Sequence, residues 1–324
     1  MIAYVTGGAG FLGSHLCDRL LADDHDVVAF DNFVTGARRN LADAHRSDRF
    51  TLVEADVSEP LTEAIAALPV ALRTPTLIMH FASPASPVDY GRDPIGTLRV
   101  NAFGAAHLCT LAAQTGARFF LASTSETYGD PLEHPQRESY WGNVNPVGMR
   151  ACYDESKRFA EAYVTSAARA LGIDGRVVRI FNTYGPRMQP GDGRVIPNFC
   201  MSALRGEPLT IYGDGAQTRS FCYVDDLIDG IVRFALAPDL SGAVINIGNP
   251  GEFTVAELAA LVASTVGVPL ALERRPLPPD DPTRRRPDIT LARTLLRWEP
   301  AISLAAGLRD TVAYFRGVHA GALS

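Results

Sequence analysis

Apolar residues gather in short runs, separated by stretches whose apolar positions recur at helical spacing, and the alternation is most regular over residues 1–180. The runs at 2–5, 27–30, 51–53, 77–81, 119–122 and 177–181 are rich in Val, Ile, Leu and Phe. Such runs predict strands buried on both faces. Between them, stretches such as 10–22 and 96–114 carry apolar residues three and four apart, which predicts helices with one buried face. Strand–helix–strand repetition predicts an α/β chain built on a Rossmann-like, doubly wound parallel sheet. Past residue 181 the pattern loosens, Pro and Gly punctuate 184–197 and 275–287, and the helices shorten. A smaller α/β C-terminal lobe is expected there, over the carboxyl edge of the sheet, where ligands of open α/β sheets bind. Val244–Ile247 is one more apolar run, placed to rejoin the main sheet. The expected division is therefore interleaved: a first domain of 1–180 and 222–248, and a lobe of 181–221 and 249–324. Internal repeats and low-complexity tracts are not evident.

The first run leads into the stretch IAYVTGGAGFLGSHL, which spaces Gly7, Gly10 and Gly13 as G-x-x-G-x-x-G ahead of a helix opened by Phe11 and Leu12. Glycines there allow a tight turn, close approach of backbone to a pyrophosphate, and packing of helix on strand. The helix N-terminus then favours the anion. The second run ends VVAFDN, which puts Asp31 at the distance where an acid takes the hydroxyls of an adenosine ribose. A carboxylate repels a 2′-phosphate, so NAD is expected over NADP. The plainer reading of Asp31 is a turn residue before Asn32. Asp56, with Val57 beside it, stands after the third run and either reaches an adenine or caps a helix.

Composition changes the picture at one position. Of the 30 Lys and Arg residues, only Lys157 is a lysine. Arginine-biased codon usage explains the others and leaves the exception. Lys is a compact ammonium with a tunable pKa, whereas Arg is a planar fork that stays charged. Tyr153 precedes Lys157 by one helical turn, so the two side chains are neighbours on a helix. An exposed lysine that drifted in by chance is the bland alternative. The remaining composition is ordinary: 47% hydrophobic and 20% charged, with net charge −6. The densest basic run, 284–286, is flanked by Asp280, Asp281 and Asp288, so no nucleic-acid stripe is expected. Nothing approaches the roughly 18 apolar residues of a bilayer span, and no signal peptide is expected at the N-terminus. The five scattered cysteines form no C-x-x-C, so disulfides, zinc and any other metal site are not expected and a reducing cytoplasm fits.

Tyr153 and Lys157, taken with the glycine turn, resemble the Tyr-x-x-x-Lys pair of the short-chain dehydrogenase/reductase superfamily. Removing a hydride from an alcohol carbon requires loss of the hydroxyl proton. A tyrosine of ordinary pKa, about 10, needs a nearby ammonium and the nicotinamide cation to act as base near neutrality. The same ammonium holds the nicotinamide ribose. Further stretches sharpen the resemblance: HFASPASP at 80–87, STSETYGDPLEHPQ at 123–136, YWGNVNPVG at 140–148, RIFNTYGPRM at 179–188, DGRVIPNF at 192–199, YGDGAQTRSFCYVDDL at 212–227 and RRPDI at 285–289. Together they resemble the extended short-chain dehydrogenases of nucleotide sugars, and within them the UDP-glucuronate decarboxylase family. The resemblance implies NAD as cofactor and a UDP-sugar as substrate. It implies catalytic roles for Thr124, Ser125, Glu126, Tyr153, Lys157 and Arg285, and adds Ala82 and Asn101 to the cofactor residues. Around the substrate it places Pro84, Asn182, Arg194, Val195, Tyr212, Arg219 and Arg285, with Arg285 near the diphosphate and sugar. The helices covering 96–114 and 157–171 match ones that pair across a two-fold axis, which implies a homodimer through a four-helix bundle.

Residue 125 bears on the reaction. Related 4,6-dehydratases carry Asp–Glu where this chain has Ser125–Glu126, and their Asp protonates the departing hydroxyl. An alcohol is a poor acid for that step. A hexuronate oxidised at C4 is a β-keto acid that loses CO₂ once its enolate is stabilised, and no leaving-group acid is needed. Thr124, Ser125 and Tyr153 would then hold the C4 oxygen, and Glu126 would position the sugar or deliver the C5 proton. Arg219 and Arg285 suit carboxylate and phosphate because arginine binds both bidentately. A 4-epimerase, an oxidative decarboxylase that releases a 4-keto pentose, and a non-catalytic NAD sensor remain alternatives.

Overall fold

The computed structural model describes residues 1–276 and 284–321. Asp280 and Asp281, the expected acidic flank of the 284–286 run, lie outside them. Fourteen strands run in chain order among the described residues. Those in the first half are β1 Ile2–Thr6, β2 Asp26–Asp31, β3 Phe50–Glu54, β4 Leu77–His80, β5 Arg118–Thr124 and β6 Gly175–Ile180. They are followed by β7 Thr183–Tyr184, β8 Leu209–Tyr212, β9 Thr218–Ser220, β10 Cys222–Tyr223, β11 Val244–Ile247, β12 Glu252–Thr254, β13 Leu272–Arg275 and β14 Arg284–Arg285. The helices that matter to the site are α1 Phe11–Ala22, α2 Thr62–Ala66, α3 Pro87–Arg92, α4 Pro94–Thr115, α5 Ala151–Leu171 and α6 Val195–Arg205. Then come α7 Val224–Leu236, α8 Val255–Val266, α9 Thr290–Leu296 and α10 Leu304–His319.

Seven strands form one sheet in the order β3-β2-β1-β4-β5-β6-β11, and every neighbouring pair is parallel. The order reverses beside β1, between β2 and β4, and so sets a ligand crevice outside the carboxyl ends of these strands. Val244–Ile247 does return to the main sheet, with Val244 opposite Val177 and Ile247 opposite Ile180. The central strands are buried on both faces, as their unbroken apolar runs require. One face packs under α4 and α5, where Tyr4, Val28, Phe30, Ile78, Leu108 and Val164 share a core. The other face carries α1 and α7, and its core continues through α6, α8 and α10 into the smaller lobe.

The expected runs match the observed strands to within one or two residues at each end, most stopping short and 77–81 and 177–181 running one residue past β4 and β6. The largest difference bears on the site: β5 continues past Ala122 to Thr124, paired with Ile180, so Ser123 and Thr124 belong to the strand. A 3₁₀ turn over Ser125–Tyr128 then folds the chain back over the sheet edge. The helix expected from 96 begins at Pro94, because the Asp93 carboxylate accepts the Gly96 N–H and caps the first turn. The smaller lobe is built on a three-stranded sheet, β12-β9-β14, and the pair β13-β8. No helix among the described residues is long and apolar enough to cross a membrane.

Candidate active site

The cofactor end starts where β1 turns into α1. Gly7 holds φ +71°, and a Cβ on it would stand 2.7 Å from the Ala82 backbone. A Cβ on Gly13 would stand 2.0 Å from the Gly7 carbonyl oxygen. The turn therefore closes as tightly as glycine allows, and Gly10 precedes α1 with no side-chain cap over the helix's first N–H groups. That opening, which larger side chains would fill, fits a pyrophosphate. Asp31 ends β2 at 7% exposure, and its carboxylate accepts the N–H of Ala9 and of Phe33, each at 2.8 Å. Burial pushes its pKa up against those two bonds. The acid is thus aimed by the glycine turn itself. Asn32 donates to Asp56 at 3.3 Å, bringing those two residues together.

The other expected cofactor residues stand around this turn, after the neighbouring strands and on α4. Asp56 accepts the Ser58 N–H in a turn, and the next helix, α2, starts only at Thr62, so Asp56 is not a helix cap. The Val57 side chain lies in the core under α4, and Phe11 and Leu12 pack half-buried on the core of the opposite face. Ala82 donates its N–H to Thr6 at 3.3 Å and faces Gly7. Asn101 is 1% exposed and donates through Nδ2 to Ser156 at 3.0 Å, while its Oδ1 is buried without a hydrogen-bond partner.

At the chemical end, Tyr153 and Lys157 stand on one face of α5 at 6% and 3% exposure. The Lys157 Nζ is 5.9 Å from the Tyr153 ring centroid and donates to the Ala122 carbonyl at 2.9 Å. Burial lowers the Lys157 pKa to about 7, with Glu161 opposing. Burial raises the Tyr153 pKa, and the Thr124 hydroxyl pulls it back in part. In the chain by itself, burial dominates both groups, raising the phenol and lowering the ammonium, and the nicotinamide cation of the expectation would act only once the cofactor is bound.

Beside them, Glu126 is gripped by guanidiniums. Arg285 reaches Glu126 Oε1 at 3.0 Å and Oε2 at 3.3 Å, and Arg150 also donates to Oε2. Burial works against the Glu126 charge, but Arg285, Arg150 and Arg219 outweigh it and hold the pKa below its ordinary value. In the chain by itself these partners favour the carboxylate form of Glu126, which suits the first of its two expected roles, positioning the sugar. Ser125 is 1% exposed, and its hydroxyl accepts from Arg285 at 3.1 Å. It is turned into the cluster, so Thr124 is the hydroxyl beside Tyr153. Arg285, expected near a diphosphate, is 2% exposed and fully engaged inside, with a further bond to the Gly129 carbonyl at 3.1 Å.

The remaining expected residues are spread over several elements. Pro84 follows β4, and Asn182 follows β6, where its carbonyl accepts the Cys222 N–H. Arg194 and Val195 open α6. Arg194 pairs with Asp192 and lies 5.9 Å from the Phe11 ring, facing the glycine turn. Tyr212 ends β8 at 40% exposure, and Arg219 lies in β9 opposite Arg285. Three residues escaped sequence reasoning. Tyr90 in α3 stacks on Tyr153 with centroids 5.2 Å apart and planes 9° apart. Arg150 sits three residues before Tyr153, and that proximity was the available signal. Gln136 binds the segment that carries Arg285, and nothing local marks it. Among the described residues no His, Cys, Asp and Glu cluster is arranged to hold a metal ion.

Comparison with known proteins agrees with this geometry. The family model for the NAD dependent epimerase/dehydratase family matches residues 3–248. UDP-glucuronic acid decarboxylase 1 of Arabidopsis thaliana is 49% identical over 312 residues, 96% of this chain and 69% of that protein. UDP-glucuronic acid decarboxylase 1 of Danio rerio is 48% identical over 311 residues, 96% of this chain and 72% of that protein. Among solved structures, UDP-glucose 4-epimerase from Thermotoga maritima with UDP-glucose superposes with TM-score 0.89 at 31% identity, over 98% of this chain and 100% of that one. UDP-glucuronic acid 4-epimerase from Bacillus cereus, in complex with UDP-glucuronic acid and NAD, gives TM-score 0.87 at 27% identity over the same shares.

Proposed function

We propose, starting from the fact that the chain belongs to the NAD dependent epimerase/dehydratase family, that it decarboxylates UDP-glucuronate to UDP-xylose. The observation that carries the reading is the Ser125–Glu126 pair under Arg285. Ser125 is an alcohol, and Glu126 is held ionised, so neither has a proton to give a departing hydroxyl. Loss of CO₂ from a C4-oxidised hexuronate needs no such donor. The curated relatives that match nearly the whole chain carry the same activity in their names.

The tight turn at Gly7 and the aimed carboxylate of Asp31 fit NAD. When bound, NAD supplies the hydride acceptor and donor at C4 of the sugar. The chain's own part is proton handling and orientation. Tyr153 takes the C4 hydroxyl proton, and Thr124 donates to the same oxygen as it becomes a carbonyl. Lys157 holds the nicotinamide ribose beside Ala122. Asp31 and Asn32 hold the adenosine end, and Gly7, Gly10, Phe11, Leu12 and Gly13 the pyrophosphate, with Arg194 facing that turn. Glu126 and Arg285 orient the sugar, and the C5 carbanion left by CO₂ takes its proton from solvent. Pro84, Asn182, Val195, Tyr212 and Arg219 line the UDP side. The division into a dinucleotide domain of 1–180 and 222–248 and a sugar-nucleotide lobe of 181–221 and 249–324 belongs to the same proposal. So does a homodimer through α4 and α5, because Ile95, Leu98 and Phe103 on α4 and Phe159 on α5 stand exposed. Four of the five free cysteines are buried, which suits a cytoplasmic setting.

The test is purified protein, UDP-glucuronate and NAD in D₂O. One CO₂ per sugar, one proton equivalent consumed, and UDP-xylose with deuterium at C5 are expected. An epimer that keeps its carboxylate would establish a 4-epimerase instead. A 4-keto pentose formed one per CO₂ would establish the oxidative reaction. Tight NAD binding with no UDP-sugar turned over would leave a sensor. Light scattering at twice the chain mass is expected for the dimer.

A further inference from the structure

Arg285 reaches Ser125 and Glu126 from a two-residue strand, β14, whose one edge pairs with β9. On that side the Ser220 hydroxyl also donates to the Arg285 carbonyl at 3.2 Å. Two-residue strands hold little by themselves, so what grips the chain just past β14 decides how firmly the guanidinium is placed. Gln136 grips that stretch, bridging to Pro287. Its N–H donates to the Arg286 carbonyl at 2.9 Å, and its own carbonyl accepts the Asp288 N–H at 2.8 Å. Its side chain then takes the place of a third strand group: Oε1 accepts the Arg286 N–H at 2.8 Å, while Nε2 donates to the Glu133 carbonyl at 2.7 Å. Gln136 is 0% exposed, so each of these groups would be orphaned without its partner. Asn246 in β11 adds a donor to the Gln136 carbonyl at 3.1 Å and ties the latch to the main sheet.

We propose that Gln136 is a positioning residue for the decarboxylation, fixing through its clamp on Arg286 the depth at which Arg285 meets Ser125 and Glu126. The proposal rests on the function proposed above. An amide side chain suits the task because it offers a donor and an acceptor at once without charge. The clamp joins a loop of the main sheet to the strand that carries Arg285, so the arginine is placed only when both halves are docked.

The test uses full-length, NAD-loaded protein carrying Gln136→Ala, and Gln136→Met, which keeps the side-chain volume should truncation unfold the chain. Turnover of CO₂ from UDP-glucuronate should fall ~10–100-fold in kcat, as expected for a displaced reacting group, with KM changed by less than about threefold. In an Arg285→Lys background the same Gln136 change should cost no further factor, since the group it places is already lost. Hydrogen exchange should show the Arg286 amide losing protection. An equal fractional loss of kcat in both backgrounds would overturn the proposal, as would kcat unchanged despite lost protection. If the wild type releases no CO₂, the function proposed above fails on its own. The placement is then judged by exchange alone: lost Arg286 protection supports it, and unchanged protection overturns it.

Discussion

Replacing Lys157 by arginine keeps the positive charge and tests why this position alone carries lysine. The Lys157 ammonium is 3% exposed, and burial lowers its pKa from the ordinary 10.5 to about 7. That gap corresponds to roughly 5 kcal/mol held against the charged form. The folded value lies below the unfolded one, so between about pH 7 and 10.5 the unfolded chain holds more protons. Wild-type stability therefore rises with pH across that window, as Lys157 sheds its proton on folding. From pH 7 to pH 9 the gain is roughly 2.3 kcal/mol by linkage. Arginine cannot shed its proton, because its pKa exceeds about 12. Lys157→Arg carries the whole burial cost at both pH values, plus about 1–3 kcal/mol for the larger head.

Urea unfolding of NAD-stripped protein at pH 7 and pH 9 reads this directly. Lys157→Arg should be less stable than wild type at pH 7, and the deficit should widen by roughly 2 kcal/mol at pH 9. Lys157→Met should be more stable than Lys157→Arg throughout, and its advantage over wild type should shrink by a similar amount. Both variants should lose turnover. A deficit for Lys157→Arg that is the same at both pH values would refute the reasoning, since it would mean that lysine stays charged in the ligand-free chain.

Tyr153→Phe removes one oxygen from a side chain stacked on Tyr90, so CO₂ release should fall ~10²–10⁴-fold while NAD content on gel filtration stays at the wild-type level. Asp31→Ala leaves the Ala9 and Phe33 N–H groups without their acceptor, so the NAD dissociation constant should rise at least about tenfold and the preference over NADP should narrow, as fluorescence titration with both dinucleotides would show. Glu126→Gln takes the anion from a buried arginine cluster and should cost about 2–4 kcal/mol near pH 7. The folded Glu126 pKa is depressed, so its contribution is present above the ordinary 4.5 and is lost as pH falls through the lower folded value, and the variant and wild type should converge in acid.

Which parts of this site were legible in the sequence follows the range over which each is specified. The glycine turn, Asp31 and the Tyr153–Lys157 pair depend on neighbours within a turn or one βαβ unit, and periodicity and spacing report such distances. The return of β11 was visible because a run buried on both faces has few places to go. Arg285 was visible as a residue, but its surroundings were not. It meets Ser125 across 160 positions, and Gln136 clamps Arg286 across 150. Contacts of that kind arise only once the lobe docks on the sheet, and no local pattern encodes them. The same holds for the charge on Glu126, which is favoured by guanidiniums from the residue that caps α5, from β9 and from β14 together.

The arginine-rich composition takes on a physical meaning in the folded chain. An arginine that stays charged must meet a carboxylate wherever it is buried. The most buried ones do: Arg176 with Asp174, Arg179 with Glu161 and Arg285 with Glu126. Each of these guanidiniums keeps a fixed carboxylate partner, and two of the carboxylates serve a second arginine, Asp174 pairing also with Arg118 and Glu126 with Arg150. Lys157 donates instead to a backbone carbonyl, and burial lowers its pKa to about 7, so near pH 7 it is half protonated. A buried cation without a fixed counter-ion is tolerable only if it can give up its proton. A group that can do so beside Tyr153 is able to enter and leave the charged state as ligands bind, which none of the arginines can do. The one lysine therefore stands where the fold requires a positive charge that is conditional.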